Sequence, residues 1–70
     1  MSKKEIIRTM INKVVSIITF SDEYLSGRLS QILDEDNCIE LVFRDGNHGL
    51  IDIRDIKFCT PLPKQPEVVV

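Results

Sequence analysis

The sequence predicts a mainly β fold with an N-terminal helix, its five short antiparallel strands strongly bent into a small barrel. Three observations predict it. Apolar residues alternate or cluster in five stretches, at 14–20, 24–33, 38–44, 49–53 and 56–59, divided by polar turns. The first thirteen residues instead carry their apolar side chains at helical spacing. The longest stretch has one glycine, Gly27, near its middle, and a glycine inside a strand often marks a sharp bend or a close backbone approach. A strand bent there can belong to two sheets, which is how a small barrel closes and removes its edges.

The helix is expected over 3–12. Ser2-Lys3-Lys4-Glu5 fits a capping box, with Ser2 accepting from the N–H of Glu5. Ile6, Ile7, Met10, Ile11 and Val14 form one apolar stripe, and about three turns need a docking surface, most simply the open end of the barrel. From Val14 the β-branched run Val-Val-Ser-Ile-Ile-Thr-Phe favours a pleated strand. It is apolar on both faces, so cover is expected on both sides, from helix and core or from a neighbouring subunit.

In the second strand Leu25, Gly27, Leu29, Gln31 and Leu33 share the expected core face. Asp34-Glu35-Asp36-Asn37 is the next turn, with Asn37 suited to a left-handed backbone. In the third strand Ile39, Leu41 and Phe43 point inward, and Cys38, Glu40, Val42 and Arg44 outward. Asp45-Gly46 starts a hairpin loop. A minimal break at Arg54-Asp55 leads into Ile56-Lys57-Phe58-Cys59. Pro61, Pro63 and Pro66 are expected to stop further pairing, leaving 60–70 as an extended tail after a domain at 1–59. Val68-Val69-Val70 at its end reads as a frayed terminus, or as a strand added to a neighbour.

Seventy residues make one domain with a small core, since a chain this short buries only about 60% of its unfolded surface. Self-association is one way to add buried area. Cys38 and Cys59 read as reduced, packed thiols, and the charged amino end holds no secretory apolar run, so a cytoplasmic, non-membrane protein is expected. One histidine and two cysteines supply no metal set, and no cofactor is implied. Nine basic against eleven acidic side chains argue against affinity built by blanketing phosphates. The charge is polarised, however. Lys3, Lys4, Arg8 and Lys13 face only Glu5 in the first thirteen residues, and Asp22-Glu23 and Asp34-Glu35-Asp36 make acidic turns.

No catalytic arrangement stands out, and an enzyme is not expected. His48 lies in a Gly-flanked loop without a nucleophile spaced to it, and a solvated side chain is the plainer reading. The acidic turn at 34–36 lacks the alternation of a calcium loop, and Gly46 and Gly49 precede a strand rather than a helix.

The order of parts resembles the Sm-like (LSm/Hfq-type) barrel family over about residues 3–59. Gly27 and Asn37 stand where its first motif pairs a strand glycine with an asparagine ten residues on, with Leu29 and Ile32 in apolar places and Asp34 near the family's aspartate. Ile53-Arg54-Asp55-Ile56 matches part of the second motif. The chain departs from the family at Glu35, where a base-stacking aromatic or histidine is common, and at Asp55, where a glycine follows the arginine; the lysine and histidine of the bacterial Hfq motif are missing. The resemblance implies single-stranded RNA binding through Asn37 on a base edge and Arg54 by stacking or on phosphate. It also implies a homo-oligomer in ring form, through the edge Ile56, Lys57, Phe58 and Cys59. Lys3, Lys4 and Arg8 offer a second basic face. Two other readings stay open: a protein-interaction module of phage or mobile-element type docking on a larger protein, and a small-ligand binder at subunit interfaces.

Overall fold

A computed structural model describes residues 2–62, and these form one five-stranded antiparallel sheet with a short helix before it. The elements are α1 (Lys3–Arg8), β1 (Val14–Thr19), β2 (Tyr24–Leu33), β3 (Cys38–Val42), β4 (His48–Asp52), a 3₁₀ turn (Ile53–Asp55) and β5 (Ile56–Pro61). The sheet order is β4-β3-β2-β1-β5. Val68–Val70, read as a frayed terminus or as a strand added to a neighbour, lies outside the described residues.

Ser2 caps α1 by accepting the Glu5 N–H at 3.2 Å. The expected helix over 3–12 stops at Arg8. Beyond it the N–H groups of Met10 and Ile11 reach carbonyls only three residues back, and Asn12 adopts a left-handed φ of 72°. That turn lets the Asn12 N–H reach the Leu29 carbonyl at 2.7 Å, so the chain is already joining the sheet. Ile7 and Met10 are buried as the stripe requires, whereas Ile6 and Val14 are about half exposed.

β2 is shared between two ladders. Residues 24–28 pair with β1, residues 28–33 pair with β3, and Gly27 sits at the changeover. A bulge lies between Leu29 and Gln31, leaving Ser30 unpaired. It reverses the expected faces of the strand's end: Gln31 is exposed, and Ile32 packs against the core instead. Among the described residues the ladder does not close on itself. β4 and β5 remain the two edges, so the expected loss of edges is corrected to a curved sheet with two unpaired margins.

The remaining differences are local. β1 ends at Thr19 because the Phe20 N–H turns to the Asp55 carbonyl. β3 ends at Val42, where the Phe43 N–H bonds Asn47 across a loop that Gly46 turns with φ 90°. Cys38, expected outward, is buried between its ladder partners Leu33 and Asp52, though outside the main core cluster. β4 starts at His48 and stops at Asp52, whose carboxylate accepts the Arg54 N–H at 2.8 Å and starts the 3₁₀ turn. β5 continues through Pro61 rather than ending at Cys59, and the Leu62 N–H donates to Val14. An edge strand tolerates proline because its N–H side needs no partner there.

The core joins Ile7, Met10, Val15, Ile17, Leu29, Ile39, Leu41, Ile53 and Ile56. The helix supplies Ile7 to this inner side. Among the described residues the outer face of β1 has no covering element, against the expectation of cover on both sides: Val14 is 49% exposed and Ile18 partly so.

Candidate interaction face

Asn37 and Arg54, far apart in sequence, come together at one end of the sheet. Asn37 takes a left-handed φ of 51°, and its carbonyl accepts the N–H of Ile53, the residue before Arg54, at 2.9 Å. The Arg54 guanidinium is held by its own neighbour: Nη2 and Nε donate to the two Asp52 oxygens at 2.9 and 3.3 Å. The pairing raises the Arg54 pKa and lowers that of Asp52, the side-chain hydrogen bond being the larger cause in both. Any base or phosphate meeting Arg54 must compete with Asp52.

The basic helix face is similarly engaged. Lys4 and Arg8 each lie 2.9 Å from the same Asp34 oxygen, and their hydrogen bonds, Lys4 first, lower the Asp34 pKa. Lys3 Nζ donates to the carbonyls of Ile56 at 2.6 Å and Ile53 at 3.3 Å and lies 5.3 Å from the Phe20 ring centre. These cations staple α1 to the β2–β3 turn and to the 3₁₀ turn. His48 stands across from Glu40, Nδ1 to Oε2 3.6 Å. Glu40 is lowered mainly by a hydrogen bond from Ser30.

The edge residues divide. Ile56 is buried in the core and Cys59 is half-buried, with Sγ 3.9 Å from Met10 Sδ, while Lys57 and Phe58 face solvent. The ladders place Phe58 directly opposite Ile18, and Ile18 directly opposite Tyr24. Residues opposite each other in antiparallel strands share a face, so Tyr24–Ile18–Phe58 is one cross-strand row. Tyr24 is 63% and Phe58 57% exposed, with Lys57 Nζ 5.7 Å from the Phe58 ring centre. On the opposite edge, Leu50 of β4 is also 63% exposed.

The next rows on this outer face are Ser26–Ser16–Thr60, tied by a 3.0 Å bond between Ser16 and Thr60, and then Val42–Arg28–Val14. Beside the latter lies a cleft of about 400 Å³ lined by Val14, Gly27, Arg28, Val42, Phe43 and Arg44. Sequence reading placed Arg44 on an outward strand face without linking it to Arg28. The signal that joins them is cross-strand register, because Val42 pairs with Arg28 and stands two residues before Arg44. Among the described residues no set of three or more His, Cys, Asp or Glu could hold a metal, and no helix is long and apolar enough to cross a membrane.

No family model and no curated protein matches the chain. Among solved structures, it is similar to a chain in one described as the structural basis of Dcp1:Dcp2 mRNA decapping complex activation by Edc3 and Scd6. The TM-score is 0.73 at 20% identity, over 91% of this chain and 62% of that one. That likeness is one of fold.

Proposed function

We propose that this chain is a non-enzymatic protein-interaction module built on an open, Sm-like five-stranded sheet, and that it docks a larger protein on the outer face of β1, β2 and β5. The observation that carries the reading is the row Tyr24–Ile18–Phe58, in which two exposed aromatic residues flank a partly buried Ile18. Contiguous exposed apolar surface with an aromatic pair is the composition of a binding hot spot. Its structural neighbour comes from work on a multiprotein assembly, which fits this class. The Sm-like reading draws on the strand order, the leading helix, a β2 shared between two ladders and the 3₁₀ link into β5. The open edges β4 and β5, with Leu50 exposed on one and Phe58 on the other, are suited to pairing copies into a homo-oligomeric ring.

A 12-residue random peptide library displayed against the immobilised chain tests the docking face. Enriched peptides should bind at least tenfold more weakly to a Tyr24→Ala, Phe58→Ala double variant that melts like the parent. No enrichment, or binding indifferent to that variant, removes the reading. Light scattering after size exclusion decides the oligomer: a monomer at high concentration ends that part of the proposal.

A second reading, single-stranded RNA at Asn37 and Arg54, is favoured by the backbone bond that brings the two together. Oligo-U and oligo-A gel shifts at low salt test it, repeated with Asn37→Ala and Arg54→Ala. Phosphate contacts are strongest at low salt, so the absence of a shift there eliminates it.

A further inference from the structure

We infer that the cleft between Arg28 and Arg44 takes a carboxylate side chain of the docked partner, one whose apolar neighbour sits on the Tyr24–Ile18–Phe58 row. This rests on the protein-interaction reading and adds the chemistry that the partner must carry.

Of the four arginines, two form no ion pair among the described residues. Lys4 and Arg8 are paired with Asp34, Arg54 with Asp52, and Lys3 with two carbonyls, whereas Arg28 and Arg44 make no ion pair among the described residues. The cleft walls Val14, Val42 and Phe43 are apolar. A charge pair formed against such walls is screened less than one in open water. A guanidinium presents a planar fork of donors that matches a carboxylate, and two of them can hold both oxygens. At about 400 Å³ the cleft has room for a side chain and its flanking backbone.

Spacing links the cleft to the aromatic row. Tyr24 and Arg28 are four residues apart on β2, about 13 Å at the usual strand rise. An extended partner covers that span in about four residues, and a helical one in about nine. The charge distribution favours a peptide over a nucleic acid. The chain carries net charge −2, and acidic turns at 22–23 and 34–36 repel a polyanion along its length. A single carboxylate needs only the local field of Arg28 and Arg44.

The same displayed library provides the test. Enriched peptides should carry Asp or Glu at a fixed spacing from a large apolar residue. A synthetic consensus peptide should lose at least tenfold in affinity when its acid becomes the amide, and equally on an Arg28→Gln, Arg44→Gln variant. On that variant, acid and amide peptides should bind alike, while Arg28→Lys with Arg44→Lys regains part of the preference. Both arginines are exposed, and matched melting curves check that the variants fold. Equal binding of acid and amide peptides to the parent, with dependence on Tyr24 and Phe58 retained, overturns the inference and leaves the module reading standing. No enrichment, or no dependence on Tyr24 and Phe58, ends both. An oligo-U strand that binds the parent but not the glutamine variant assigns the cleft to nucleic acid and also overturns the inference.

Discussion

A Cβ placed on Gly27 would lie 2.8 Å from the carbonyl oxygen of Val42, closer than such atoms approach in folded proteins. The two backbones meet there because β2 passes from the β1 ladder to the β3 ladder at this point. The glycine is needed for this close approach. Gly27→Ala must push a backbone carbonyl aside and should cost about 1–3 kcal/mol, the range for overpacked sites. Urea denaturation with an unchanged slope and a lower midpoint is the expected result; a midpoint equal to the parent's would show that β2 and β3 are not so close.

Gly49 offers a contrast, since its Cβ would meet only the Phe43 ring, at 2.7 and 2.9 Å. A partly buried ring can shift where a paired carbonyl cannot. Gly49→Ala should therefore cost less than Gly27→Ala, and Phe43→Leu should partly rescue it. A double-mutant cycle reads this directly, with an expected coupling of about 0.5–2 kcal/mol. Strict additivity would mean that ring and glycine do not touch.

These two glycines mark the limit of what the sequence made legible. Alternating Ile39 and Leu41, and the break at Asp45-Gly46, are local signals, and the strands fall close to where they point. Gly27 was readable as a bend because glycine inside an apolar strand has few other uses. The bulge at Ser30 was not readable, because it follows from how β2 and β3 register, and so Gln31 and Ile32 exchange faces. The end of α1 at Arg8 was hidden for a similar reason: Asn12 leaves the helical path to bond Leu29, far along the chain. Asn37 and Arg54 were named from motif order, and a carboxylate close to Arg54 in sequence, Asp52 or Asp55, was legible as its partner; the 3₁₀ turn selects Asp52. The arginine cleft belongs to the same class as the bulge, since Arg28 lies on β2 and Arg44 in the β3–β4 turn.

The thiols should be slow nucleophiles in the folded chain. Burial raises the pKa of both Cys38 and Cys59, and the nearby carboxylates of Asp36 and Asp52 raise Cys38 further. The thiolate is the reactive form. Labelling by a disulfide reagent at pH 8 should run at least tenfold slower than for glutathione and accelerate in urea. Asp52→Asn should speed Cys38 only slightly, because desolvation is the larger cause. A large acceleration would reverse that ranking.

The Asp34 carboxylate, bridging Lys4 and Arg8 from the β2–β3 turn, makes attachment of α1 acid-sensitive. The folded state holds its pKa below the ordinary aspartate value, first through the Lys4 hydrogen bond and then through Arg8. A carboxyl with a depressed folded pKa contributes fully above the unfolded value of about 3.9 and loses that contribution as pH falls through the folded one. Glu40 and Asp52 are shifted in the same direction, so stability should fall from about pH 4 downward. Asp34→Asn keeps the shape and removes the charge. It should lower stability modestly at pH 7, since the group is exposed and salt screens it, and it should flatten the acid limb of the profile. Thermal melts from pH 7 to pH 2, at low salt and at 1 M salt, measure both effects. If parent and variant run parallel down to pH 2, the Asp34 bridge does not fasten the helix.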